Sequence, residues 1–306
     1  MFSTVFIVIF ASKKMLRIDE IREKLSRIPE PVEVTQIREN ILNNFNRIEF
    51  VEDVHKYYLP NINGEKEELM SVSAFIHQYE PKSDWDAITR KYAEKHSMTY
   101  EEVRRMWEEN NVISTNNGTS THLYGENFMH FVMGNDDKIC DVIKPQYEKG
   151  YLIPYSNKQV AILRFFEDLF KVEEIFPVMP EARIYIGVGD MFQNAVIKYA
   201  GTFDMLFAIK RGNEWKLLIY DYKTNKSLYN AYNRKNNVMM LPPFNDLIDE
   251  PMSHYAIQQS CYSLGLKQLG YDVIDRKLIW LKDDGTYGKF SLPNLENRIT
   301  NILNNG

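Results

Sequence analysis

The chain has 306 residues, 44% hydrophobic, 26% charged and 13% aromatic, which excludes a disordered or fibrous protein and suggests one large domain or two ordinary ones. A chain of this size buries roughly 75% of the surface its unfolded form exposes, so a metal site in it would serve chemistry and not folding. Two cysteines, Cys140 and Cys261, exclude a four-cysteine zinc site, an iron-sulfur cluster and a disulfide scaffold, and a net charge of −5 argues against coating nucleic acid with the whole surface while leaving room for a local basic groove.

Phe2 to Ala11 is an apolar run followed by Lys13 and Lys14. It is too short to span a bilayer, and a secretory signal carries its charge ahead of the apolar run. The run reads as a buried strand, or as an extension upstream of an initiating Met15. The expectation is a cytoplasmic protein in a reducing compartment, with no membrane partner. Residues 16–45 read as two helices separated by Pro29-Glu30-Pro31. Arg47 to Leu59 reads as a strand, folded back by a turn at Asn61 to Gly64. Helices are expected over Ser71–Tyr79, Trp85–His96 and Thr99–Asn110, the last opened by the capping-box pair Thr99 and Glu102.

From Asn116 the pattern changes. A helix is predicted from Gly118 to about Met133 and another over Asn157–Lys171, then strands over Glu181–Ile186, Ala195–Ile209 and Trp215–Tyr222. A long polar loop follows, then a helix over Ser253–Leu269 and a strand over Lys277–Leu281. This order predicts an α/β fold with a mixed central sheet flanked by helices over residues 116–306, after a mainly helical region with a small β-hairpin over residues 1–115.

The chemistry concentrates around Gly212-Asn213, a two-residue hairpin signal. A turn centred there sets Asp204 opposite Asp221, and Leu206 and Phe207 opposite Ile219 and Leu218. Opposed carboxylates repel unless a cation sits between them. Lys223, two residues past Asp221, falls on the same face. About five acid-x-base triplets are expected by chance in a chain of this composition, so the triplet alone says little. Its pairing with Asp204 on otherwise apolar strands leaves two readings, a metal site or a structural Asp-Lys ion pair. Glu181, on the preceding strand, is either a third acid near the ion or an edge charge. His122 and Glu126 share one helical face at i and i+4, as do Gln258 and Tyr262, and His254 lies a turn before Gln258. Lys226, Tyr229, Tyr232, Arg234 and Lys235 mix cations with aromatic faces, which suits either a single-stranded nucleic-acid channel or a solvated loop.

Asp204, the Asp221-Tyr222-Lys223 triplet, the Gly118 to His122 segment and the Gln258 to Tyr262 pair together resemble the PD-(D/E)xK nuclease superfamily, in its RecB-like exonuclease branch. The order and spacing agree over about residues 116–285. His55-Lys-Tyr-Tyr58 and Ser71-Val-Ser73 are reminiscent of phage and mitochondrial-genome-maintenance exonucleases. The proline that names the superfamily is absent before Asp204, where Thr202-Phe203 stands, and the cysteines of the iron-sulfur relatives are absent. The resemblance implies a restriction-endonuclease-like core and a Mg2+- or Mn2+-dependent deoxyribonuclease, an exonuclease before an endonuclease, in phage or viral DNA replication, recombination or repair. It implies metal ligation by His122, Asp204, Asp221, the Tyr222 carbonyl and Glu126. It also implies catalytic roles for Asp204, Asp221 and Lys223, with Gln258 and Tyr262 positioning the lysine or a phosphate. Lys226, Tyr229, Arg234, Lys235 and His254 would contact DNA, and Arg90, Lys91, Lys95, Arg104 and Arg105 would line a wall beside it. A catalytically silent nucleic-acid-binding protein of the same fold is the reading from another class, and a hydrolase of another phosphoester remains open as well.

Overall fold

The computed structural model describes residues 18–27, 29–51, 54, 56–60, 64–171, 175–188 and 196–305. The run from Phe2 to Ala11, Met15, His55 and most of the turn at 61–64 lie outside the described residues. Helices α1 (Ile18–Ser26) and α2 (Val32–Phe45) are separated at Pro29-Glu30-Pro31, as the breaker predicts. The strand expected over Arg47–Leu59 is two strands, β1 (Glu49–Val51) and β2 (Lys56–Pro60), which pair antiparallel. With β3 (Lys66–Leu69) they form a small three-stranded sheet.

Ser71 caps α3 (Val72–His77) by accepting the Ala74 N–H, and Asp84 does the same for α4 (Trp85–His96) through Ala87. Helix α5 runs unbroken from Tyr100 to Met133, opened by the Thr99-Glu102 capping box and closed by Gly134 in the left-handed region. Two helices were expected here. Gly118 does not end the first, because a single glycine costs only about 1 kcal/mol relative to alanine inside a helix. The break placed between residues 115 and 116 therefore falls inside α5.

After the two-residue strands β4 (Tyr147–Glu148) and β5 (Tyr151–Leu152) comes α6 (Asn157–Leu169), then β6 (Ile175–Val188), β7 (Val196–Arg211) and β8 (Glu214–Lys223). The polar loop after β8 contains a short helix, α7 (Ala231–Asn236). Helix α8 (Pro251–Gln268), β9 (Val273–Leu281), β10 (Tyr287–Ser291) and α9 (Glu296–Asn305) complete the chain. The main sheet is mixed, in the order β10-β9-β8-β7-β6, with β8 and β9 parallel and the other pairs antiparallel. The fold is thus mixed α/β. Among the described residues, no helix is long and apolar enough to cross a membrane.

Alternating strand residues feed two cores. Leu206, Ala208, Leu217 and Ile219 pack with α2, α3 and α8, whereas Met205, Phe207, Leu218 and Tyr220 pack with α5 and α6. Both faces are covered, which is why β7 and β8 read as apolar runs. Behind α8, Arg276 and Glu296 are both buried, 3.3 Å apart, and Ser263 bonds to each. Removing one member of a buried pair strands the other, at about 3–5 kcal/mol. Glu296→Ala should lower unfolding free energy in urea by about that amount, and the paired Arg276→Met/Glu296→Leu replacement by less.

Candidate metal centre

The β7–β8 register is the one the Gly212-Asn213 turn dictates: Leu206 pairs with Ile219, Phe207 with Leu218 and Arg211 with Glu214. The ladder's last pair at the open end is Met205 with Tyr220. One step further, the Asp204 carboxylate accepts the Tyr222 N–H, closing the gap between the strands through a side chain. Both aspartates are buried, Asp204 at 7% and Asp221 at 2% exposure. Burial at that depth without partners would cost several kcal/mol per carboxylate.

The partners arrive from both sides of the sheet. His122, on α5, places Nδ1 2.9 Å from Asp204 Oδ1. Lys223, the last residue of β8, places Nζ 2.5 Å from Asp221 Oδ2. The Lys223 ammonium is the partner of the buried Asp221 Oδ2. Lys223 Nζ also lies 4.7 Å from the centroid of Tyr255, whose hydroxyl donates to Asn225 Oδ1. Glu181 stands opposite Asp204 on β6, between the pairs Pro180–Met205 and Ala182–Phe203. Its backbone is left-handed, φ 44°, a strained state for glutamate that recurs where surrounding structure over-determines a functional group. One ligand atom from each of His122, Glu181 and Asp204 lies within 4.8 Å of the other two. Glu181 is thus a third acid at this point and not an edge charge.

The electrostatics follow from that crowding. Burial pushes Glu181 well above the ordinary carboxyl range, and Asp204, Glu126 and Asp221 push it further. Burial likewise raises Asp221 to about 6, with Lys223 opposing and Asp204 reinforcing the shift. Asp204 goes the other way: burial raises it, but His122 and Lys223 outweigh that and hold it below its ordinary value. Burial lowers His122 and Asp204 more than reverses the effect, leaving the imidazole raised. Burial also works against the Lys223 ammonium, and Asp221 overcomes it, so Lys223 stays a cation.

Helix α5 reaches the sheet because of Gly125. A Cβ there would stand 2.5 Å from Tyr222 Cε2, so only glycine lets the helix ride on that ring with His122 one turn earlier. The Tyr222 hydroxyl points into the core toward Met205 Sδ, 2.9 Å away, and its observed contribution to the site is the backbone N–H. On the other face, Tyr262 covers Gly201, where a Cβ would lie 2.6 Å from Tyr262 Cε1. Tyr262 is buried near both aspartates, and Gln258 Oε1, one turn earlier on α8, is buried without a partner.

Other expected residues go elsewhere. Glu126 Oε1 lies 3.6 Å from His130 Nε2, close enough to act on Glu181 by charge but not a member of the His122-Glu181-Asp204 group. Arg234 makes two hydrogen bonds to Glu250, at 2.8 and 2.7 Å, and stacks 4.1 Å over Tyr229, so its charge is already compensated. His254 faces two carboxylates, Asp249 and Glu80, which would repel a phosphate. Lys226 and Lys235 are exposed, and Tyr232 is 71% exposed. Tyr255 and Gly125 were missed by sequence reasoning. Tyr255 sits at i−3 from Gln258, so helical spacing alone could have found it, whereas Gly125 had no local signal.

No protein-family model matches the chain, and no curated protein matches its sequence.

Two outcomes are expected. Gly125→Ala should force Tyr222 or α5 to move, costing about 1–3 kcal/mol of stability measured by urea unfolding. Glu181, with a folded pKa above its unfolded value, favours folding most at pH below about 4.5 and loses that contribution as pH rises. Chelator-treated wild type should therefore lose urea stability from pH 5 to 8 more steeply than Glu181→Gln. Equal slopes would mean that Glu181 is not held protonated.

Proposed function

We propose that the chain is a divalent-metal-dependent nuclease of the PD-(D/E)xK type, in the RecB-like exonuclease branch, acting on DNA ends. The observation that carries this reading is the convergence of Asp204, Asp221 and Glu181 with His122 and Lys223 where β7 and β8 part. A structural Asp-Lys pair would account for Asp221 and Lys223 but not for Glu181, which can face Asp204 only by keeping its proton. A divalent cation would take that proton's place, and three hard carboxylate oxygens with one histidine nitrogen suit Mg2+ or Mn2+.

His122, Asp204, Asp221 and Glu181 would hold the ion, with the Tyr222 carbonyl as a further oxygen. Bound there, Mg2+ or Mn2+ supplies Lewis acidity toward a phosphoryl oxygen and acidifies a water. The remaining work belongs to the chain. Lys223 enters as an ammonium, fixed by Asp221 and the Tyr255 face, and acts as a point cation toward phosphoryl charge or as the donor that orients water. Its raised pKa argues against a general-base role before metal binds. Gln258 Oε1 is free to accept from that water or from Lys223. Tyr262 fixes the spacing between α8 and β7. Exposed Lys226, Lys235 and Tyr232 offer cations and an aromatic face to the substrate strand, and phage or viral replication, recombination or repair is the setting that the resemblance implies.

The test is a time course on end-labelled single- and double-stranded linear DNA beside a closed circle, with Mg2+, Mn2+ or EDTA. Wild type should shorten linear DNA only with metal and leave the circle intact. Asp221→Ala and Lys223→Ala should each lower the rate by about 100- to 1,000-fold. Nicking of the circle would make the protein an endonuclease, and failure to cut any substrate with either metal would overturn the reading.

A further inference from the structure

A second group of metal-ligating side chains gathers beside the amino-terminal end of α8. Glu80 lies between α3 and α4, Asp249 just ahead of α8, and His254 in its first turn. Separate stretches of chain thus deliver these side chains to one place. One ligand atom from each lies within 4.8 Å of the other two. His254 Nε2 is 2.8 Å from Asp249 Oδ1, and its Nδ1 is 3.4 Å from Glu80 Oε1. His77 Nδ1, from the end of α3, lies 2.8 Å from that same Glu80 oxygen.

The two carboxylates have imidazoles and no permanent cation as ion-pair partners. Among the described residues, neither Glu80 nor Asp249 has an arginine or lysine partner, and the nearby Arg234 is committed to Glu250. All three side chains are partly exposed, so an ion from solvent has access. Tetrahedral zinc, with bonds of about 2.0–2.2 Å, sets its donors about 3.4 Å apart. One ligand atom from each residue already lies within 4.8 Å of the other two, so the donors need to close by at most about 1.4 Å to reach that spacing, with one His254 nitrogen on the ion and the other left facing a carboxylate.

We propose that Glu80, Asp249 and His254 form a second metal site, for a Zn2+-type ion, with His77 orienting Glu80 and water completing the shell. With two carboxylates, against the three carboxylates and a carbonyl oxygen gathered at the first centre, the nitrogen donor weighs more here and favours a transition metal over Mg2+. The ion would tie the start of α8 to the α3–α4 connection. That helix carries Tyr255, Gln258 and Tyr262, so the site is a structural anchor for one wall of the candidate metal centre. It shares no ligand with that centre and stands whether or not the chain is a nuclease.

Calorimetric titration with Zn2+ tests this on the full chain after chelator treatment and dialysis. Asp204→Asn/Asp221→Asn removes ligands of the first centre and should still bind Zn2+ with a rise in melting temperature. Adding His254→Ala or Asp249→Asn to that background should weaken binding by at least about 10- to 100-fold and remove the rise. His77→Ala, at an exposed position, should weaken it less. Far-UV circular dichroism confirms that each protein is folded, and the near-isosteric Asp249→Asn serves if His254→Ala is not. No Zn2+ binding by wild type, or binding unchanged by both substitutions in folded protein, would overturn the site.

Discussion

Three carboxylates, Asp204, Asp221 and Glu181, meet in the interior of this protein, and much of the architecture around them compensates for that meeting. Like charges at cross-strand positions are destabilising, and burial amplifies the effect. Each acid is handled differently. Asp204 is kept ionised by His122 and by a strand N–H, Asp221 is set against Lys223, and Glu181 is driven toward its neutral form. The result is a set of acids whose proton affinities have been pushed apart, the arrangement that separates roles among like groups in a site.

Holding such a set requires helices closer to the sheet than ordinary side chains allow. Gly125 lets α5 rest on Tyr222, and Gly201 lets α8 rest on β7 through Tyr262. The two approaches come from opposite faces, one carrying His122 and the other Gln258 and Tyr262. The open end of the β7–β8 ladder is therefore clamped on both sides. The left-handed Glu181 backbone fits the same logic, with continuous pairing on either side holding it in a conformation that glutamate avoids when free.

Much of this was legible in the sequence, for reasons that differ by residue. The Gly212-Asn213 turn fixes a register that holds as far as Met205 and Tyr220; Asp204 and Asp221, expected to pair directly, lie one step past that last pair, where the Asp204 carboxylate bonds the Tyr222 N–H instead. The α4 limits, Trp85–His96, and the Thr99 cap followed from local signals. What could not be read was decided by distant partners. Gly118 looked like a boundary, but one glycine does not overcome the propensity of a long helix. Glu181 could not be placed because its position depends on the β6 pairing, which no turn signal sets. Arg234 and His254 looked like free cations because Glu250, Glu80 and Asp249 meet them only in the folded chain.

The helical arm of α4 and the first part of α5 shows the same limit from another side. Arg90, Lys91, Lys95, Arg104 and Arg105 suggested a basic wall, yet Asp86, Glu94, Glu101, Glu102, Glu108 and Glu109 are interleaved with them. Mixed signs at this spacing cancel within a Debye length of about 8 Å, so the arm has no long-range pull on a polyanion. What holds it together is aromatic: Trp107 meets Trp85 and Tyr92 edge-on, at 6.3 and 5.5 Å. Residues 108–117 of α5 are then exposed until Thr121 enters the core, one residue before His122. Since that helix is unbroken, the arm and His122, which holds Asp204, share one element, so what joins the arm to the candidate metal centre is helix continuity and not its charge.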